Sequence, residues 1–156
     1  VTNRRTLSPS TTSMVGPGTL PGAGLSAQGC ATASVTGAGQ DCRLVMTKRG
    51  VGIAQPGGEI VYRCLWCDPC VDAPTVAVID DLPPELEFVS LSSRDIRGYQ
   101  VLQNGATQQV VLDVGLLPKG HAGLAHIRTR VKDTVAPGTI VNNDIMIQDA
   151  AGREVS

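Results

Sequence analysis

Residues 55–67 read Gln-Pro-Gly-Gly-Glu-Ile-Val-Tyr-Arg-Cys-Leu-Trp-Cys. Gln55-Pro56-Gly57-Gly58 is a turn, because proline presets its φ and glycine accepts backbone angles that side chains resist. Ile60, Tyr62, Cys64 and Trp66 then fall on one face at period two, the side-chain repeat of a β-strand. Cys67-Asp68-Pro69-Cys70 breaks that strand. The same alternation of strand and turn extends in both directions. Leu44–Lys48 is a short β-prone run before the turn. Downstream, Thr75–Ile79 places Val76, Val78 and then Asp80 on one face, and Leu82-Pro83-Pro84 ends it. Leu86–Leu91 alternates with Leu86 and Phe88 on one side and Glu87, Val89 and Leu91 on the other. Asn104-Gly105 reads as a hairpin turn leading into a strand over Gln109–Val114. Ala122–Val131 carries Ala125, Ile127, Thr129 and Val131 on one parity and His126, Arg128 and Arg130 on the other. Thr139–Gln148 is the last clear strand. No stretch sustains a helical period, and short strands between closely spaced turns predict an all-β sandwich.

Composition narrows the function classes. A chain of 156 residues has room for one ordinary domain. Its net charge of −1 lacks the footprint of a nucleic-acid binder. No apolar run reaches the ~20 residues that span a bilayer, so no membrane span is expected. The first 40 residues contain no Asp or Glu, and only Arg4 and Arg5 are charged. Residues 1–29 are rich in Ser, Thr, Gly and Pro, a composition that cannot by itself offset the entropy of ordering. The domain division expected is an arm over 1–29, a cysteine-bracketed hairpin over 30–43 and a sandwich over 44–156. The arm is either a flexible leader or a segment that orders on another subunit, and its hydroxyls could carry O-linked glycans.

Five cysteines are many for a reducing compartment. Together with a start at Val1 and no apolar leader, they suggest an exported protein after signal-peptide removal, extracellular or on the cell surface. Cys30 and Cys42 bracket a glycine-containing hairpin that could close into a disulfide. Cys67 and Cys70 are the second expected disulfide pair, leaving Cys64 free or bonded to another chain. The Cys64–Cys70 cluster has zinc-like spacing, but a fourth ligand is hard to find nearby, and no metal or other cofactor is expected. Asp68, Asp72, Asp80 and Asp81 lack the dense spacing of a dedicated calcium loop. Trp66 could stack on a sugar, with a core role the plainer assignment. Nucleophile elbows, metalloprotease motifs and phosphate loops are absent, so no enzyme is expected.

Several short motifs recur in order: Val45-x-x-Lys48, Pro56-Gly57-x-x-Ile60-x-Tyr62, Val76-x-Val78-x-Asp80-x-Leu82-Pro83, Leu86-x-Phe88-Val89-Ser90 and Gly138-Thr139-Ile140-Val141-Asn142. In this the chain resembles the conserved-repeat domain of bacterial and archaeal surface proteins, known as domain of unknown function eleven, over residues 44–149. The resemblance implies an immunoglobulin-like sandwich without catalytic activity. It also implies one further strand after Asn142, where this chain has only a short segment ending at Ser156. A sandwich short of its last strand exposes an edge. The arm of an identical subunit could fill that edge head-to-tail and build a pilus-like filament or surface layer, with Leu7, Met14, Val15 and Leu20 as the plug. The alternatives are closure in cis, by the arm or by Arg153–Ser156, and a plain truncation. As a function, the filament subunit competes with a monomeric, adhesin-like module for a glycan or protein. By position in the pattern, Lys48, Asp80 and Asn142 are also candidates for a Lys–Asn isopeptide crosslink. That chemistry needs an amine made neutral by burial and a protonated acid.

Overall fold

The computed structural model describes residues 11–14, 44–50, 53–67, 72–149 and 154–155. Their strands are β1 (Thr11–Met14), β2 (Val45–Arg49), β3 (Glu59–Cys67), β4 (Ala73–Leu82), β5 (Leu86–Ser93), β6 (Gly98–Asn104), β7 (Thr107–Leu117), β8 (Ala122–Val131), β9 (Ile140–Asp149) and β10 (Glu154–Val155). They form two antiparallel sheets packed face to face. One has the order β2-β3-β8-β5; the other runs β1-β9-β4-β7-β6, with β10 also on β9. The chain is an all-β sandwich, as its period-two runs predict. No helix of the described residues is long and apolar enough to cross a membrane.

The alternation seen in the sequence is the alternation of burial. Ile60, Tyr62, Cys64 and Trp66 of β3 face inward with Ala125, Ile127 and Val131 of β8. Val76, Val78 and Leu82 of β4, Val110 and Leu112 of β7, and Ile145 and Ile147 of β9 meet them from the second sheet. Burying a side chain of this size stabilises by about 1.5–3 kcal/mol, so the common inward face holds the two sheets together. Trp66 lies across Gly123, its partner on β8, where an added Cβ would fall 2.3 Å from the indole.

The strict alternation fails at two bulges. The pairing of β5 with β8 slips between Phe88 and Ser90, so Leu91 packs on the core alongside Phe88 instead of opposite to it. An extra residue in one strand reverses its parity from that point. Gly115, with φ at 72°, lies in the irregular stretch of the β4–β7 pairing. Val114 and Leu117 are both buried as a result, and β7 runs on to Leu117 instead of stopping at Val114. The β6–β7 loop is displaced by one residue from the expected turn. Asn104 pairs with Thr107, leaving Gly105 and Ala106 as the loop. Gly105 alone has positive φ, at 60°, the pattern of a type II′ turn.

Both terminal segments lie on β9. Thr11–Met14 pairs antiparallel with Asn143–Ile140, and Glu154–Val155 pairs with Gln148–Ile147. Strand β9 is thus the edge at which added strands pair, Thr11–Met14 along one stretch and Glu154–Val155 along another. Met14 is the one predicted plug residue in this pairing, opposite Ile140. Leu7, Val15 and Leu20 lie outside the described residues, as does the proposed 30–43 hairpin.

Candidate functional site

Three strands from the two sheets bring polar side chains into the centre of the sandwich. Lys48 is the inward residue of β2, between exposed Thr47 and Arg49. Asp80 is inward on β4 in line with Val78 and Leu82. Asn143 is inward on β9 in line with Val141 and Ile145. Lys48, Asp80 and Asn143 are all buried, Asp80 and Asn143 completely. Lys48 Nζ donates to Asp80 Oδ1 at 2.6 Å, with both side chains fully withdrawn from solvent. The same nitrogen lies 4.6 Å from the centroid of the Tyr62 ring.

Burial dominates the electrostatics here. Loss of solvent pushes the Lys48 pKa down, with Asp80 opposing. Loss of solvent likewise pushes the Asp80 pKa up, with Lys48 opposing. Both directions favour transfer of the proton from nitrogen to carboxylate, giving a neutral amine beside a neutral acid. Cys64, the cross-strand partner of Lys48, is a buried free thiol whose pKa burial pushes up to about 12. It is therefore an inert neutral group at ordinary pH.

The polar cluster is incompletely satisfied. Asp80 Oδ2 and both side-chain atoms of Asn143, Oδ1 and Nδ2, are buried without a hydrogen-bond partner among the described residues. Each such group costs about 1–3 kcal/mol relative to its hydrated state. Three of them, belonging to two residues whose strands pair, call for a chemical reason.

The structure corrects the asparagine. Asn142 is exposed, and Asn143 takes the inward position. A shift of one residue along a strand exchanges the two faces. The signal was available, since Val141, Ile145 and Ile147 share the parity of Asn143 and mark the inner face. Among the cysteines, Cys67 is disulfide-bonded. Cys30, Cys42 and Cys70 lie outside the described residues. Cys64 is withdrawn into the core, out of reach of a second chain. The acidic residues considered for calcium have separate tasks. Asp72 Oδ1 accepts from the Lys119 amide at 2.8 Å, and Asp81 Oδ1 accepts from Gln109 Nε2 at 2.7 Å. No group of three or more His, Cys, Asp or Glu among the described residues is placed to hold a metal ion. Trp66 is a core residue, so it presents no face to a sugar.

A second region departs from the rules in the opposite sense. β5 and β6 are outer strands of the two sheets, and the Phe88 amide of β5 donates to Gln108 Oε1 of β7, the strand beside β6, at 2.7 Å. Every residue of β6 is exposed, and the strand carries no charge. Tyr99 and Val101 pair with buried Leu112 and Val110, so they point to the inner face, yet they are 46% and 36% exposed. β5 does not cover them. Tyr99 meets Phe88 with ring centroids 5.8 Å apart, and Leu91 and Ile96 are only partly buried. The result is an open apolar ledge between two sheet edges, which the sequence reading missed. The hairpin register, which sets Tyr99 opposite Leu112, was the signal that could have found it.

No family model and no curated protein matches the chain. Solved structures align with the chain at low identity. The chitin-binding domain of a chitinase from Pyrococcus furiosus is 12% identical, with 73% of this chain and 99% of that one covered and a TM-score of 0.47. The sixth cohesin of scaffoldin B from Acetivibrio cellulolyticus, solved with a Cel5 dockerin mutant, is 13% identical over 72% and 91%, with a TM-score of 0.45. A non-cellulosomal cohesin from the archaeon Archaeoglobus fulgidus is 18% identical over 65% and 75%, with a TM-score of 0.37.

Proposed function

We propose that the chain is a non-catalytic module of an exported surface protein that binds a partner protein by strand addition along β6. The observation that carries this reading is the β6 edge itself. It has seven residues, no charge and no proline, and Leu102 on one face with Tyr99 and Val101 on the other are exposed. Proteins ordinarily blunt such an edge with Lys, Pro or a covering loop, because its free N–H and C=O groups recruit strands. An extended segment added there would gain main-chain hydrogen bonds, and its apolar side chains would rest on Tyr99, Val101 and Phe88. The disulfide-bonded Cys67 supports an oxidising, extracellular setting.

A second reading, a filament subunit joined to identical subunits, draws on a different observation. Thr11–Met14 pairs with β9 through four residues near one end of the chain. The same pairing made by a neighbour's arm would join subunits head-to-tail. One experiment separates the two. A photoreactive phenylalanine is placed at Leu102 in the full chain on the surface of the producing cells. Under the first reading it captures a different protein, Val101→Lys abolishes the capture, and the same probe at exposed Arg49 captures nothing. Regular fibres in negative stain that vanish when residues 1–29 are deleted would establish the second reading instead.

A further inference from the structure

We infer that Lys48 and Asn143 are joined by an intramolecular isopeptide bond whose formation is driven by Asp80. The inference goes beyond the binding role and rests on a different part of the molecule. Its first support is placement. Asp80 pairs with Ile145 on β9, so Asn143 is the next inward residue along the neighbouring strand, the diagonal position. Lys48 reaches this point from the opposite sheet, with its nitrogen 2.6 Å from Asp80. The second support is the orphaned amide. Asparagine is seldom completely buried, and here both of its side-chain polar atoms and Asp80 Oδ2 lack partners together. The third is the apolar surround of Tyr62, Val78 and Ile145, which excludes water from the cluster.

The chemistry balances without any outside oxidant or reductant. Asp80 takes a proton from the Lys48 ammonium, leaving a neutral amine with a free electron pair. Burial pushes both groups in that direction. The protonated Asp80 donates a hydrogen bond to Asn143 Oδ1 and polarises Cγ. Lys48 Nζ attacks Cγ, forming the new C–N bond. The Nζ proton passes through the Asp80 carboxyl to Nδ2, the Cγ–Nδ2 bond breaks, and ammonia leaves. One amine and one primary amide become one secondary amide and one ammonia, with Asp80 regenerated. Asp80 is thus a catalytic residue acting on the reacting atoms, a general acid and base in turn. The product also resolves the polar imbalance. Nδ2 departs, and the new N–H and C=O lie beside the two oxygens of Asp80. The bond ties the edge strand β2 of one sheet to β9 of the other, across the core.

The test is peptide mapping of the full-length folded protein by tandem mass spectrometry. The expected result is an intact mass short by one ammonia, no tryptic cleavage after Lys48, and a branched peptide joining Lys48 to Asn143. Mass alone is insufficient, since cyclisation at Asn104-Gly105 loses ammonia too; the branched peptide decides. Asp80→Asn is expected to give the full mass and linear peptides. Linear peptides from both segments of the wild-type protein, or a branch on Asn142, overturn the inference. A branched peptide that persists undiminished in Asp80→Asn overturns the role of Asp80. Because the decisive readings are on the wild-type chain, poor folding of a variant leaves the test intact.

Discussion

The β2–β4–β9 end of the sandwich hides polar groups, whereas the β5–β6 end exposes apolar ones. At the first, Lys48, Asp80 and Asn143 are withdrawn from water with three polar atoms unmatched. At the second, Tyr99, Val101 and Leu102 remain in solvent along an uncharged edge. Each region breaks the ordinary rule of burial in its own direction, and each departure carries a stability cost. Between them, β3 and β8 face inward mainly with apolar surface, the polar exceptions being the Tyr62 hydroxyl, the Trp66 indole nitrogen and Thr129. The contrast teaches that the two departures have different uses: one suits internal chemistry, the other suits contact with a partner. Local violations in an otherwise consistent sequence are where function is to be sought.

The largest effect should come from splitting the buried pair. Lys48→Met leaves Asp80 alone in the core and is expected to cost about 3–5 kcal/mol in denaturant unfolding. Lys48→Met combined with Asp80→Leu should be more stable than the single variant, because the unpaired buried acid is gone. Stability of the single variant should also fall as pH rises above the ordinary carboxylate range. Burial raises the folded-state pKa of Asp80, so the folded state holds a proton that the unfolded chain releases. A crosslinked wild-type chain should exceed both variants, since closing a loop of roughly 95 residues removes about 4–5 kcal/mol of unfolded-state entropy.

Next in size is the ordinary core between the two regions. Gly123→Ala drives a methyl into the Trp66 indole and is expected to cost about 1–3 kcal/mol, with a shifted tryptophan emission. It should leave both the branched peptide and β6 contacts unchanged. If it alters either, the two regions are coupled through the core and the comparison drawn above is too simple.

These expectations depend on features that were unequally visible in the sequence. The strands of the core were plain, because Ile60 to Trp66 and Ala125 to Val131 repeat at period two without interruption. Parity was lost where a bulge intervened, at Phe88–Ser90 and near Gly115, since an extra residue leaves no mark in composition. The buried cluster was legible to within one residue. Lys48 and Asp80 were placed by pattern, while Asn142 was chosen over Asn143 although the parity of Val141 and Ile145 argued otherwise. The open ledge was not legible from β6 alone. Whether Tyr99 is covered depends on how far β5 extends over it, which is a matter of packing between sheets.

A smaller effect is expected at Cys64. Its thiol keeps its proton in the folded state up to about pH 12, whereas the unfolded thiol ionises near its ordinary value of 9.0. Stability should therefore fall as pH rises between those values, by about 1 kcal/mol over the first unit above the ordinary value. Cys64→Ala should remove that slope, measured as the change in unfolding free energy with pH. The smallest effect belongs to the exposed edge. Leu102→Lys should change stability by less than about 0.5 kcal/mol while abolishing capture by a photoreactive phenylalanine placed at exposed Gln100 of the same strand. A large loss of stability there would mean that β6 serves the fold instead of a partner.

The central claim is that the buried polar cluster is a reaction centre, and an atomic-resolution crystal structure of the protein as secreted tests it most directly. The account predicts continuous density from Lys48 Nζ to Asn143 Cγ, planar as an amide, with the Asp80 carboxyl against it. Separate density for a lysine amine and an intact asparagine side chain would contradict it.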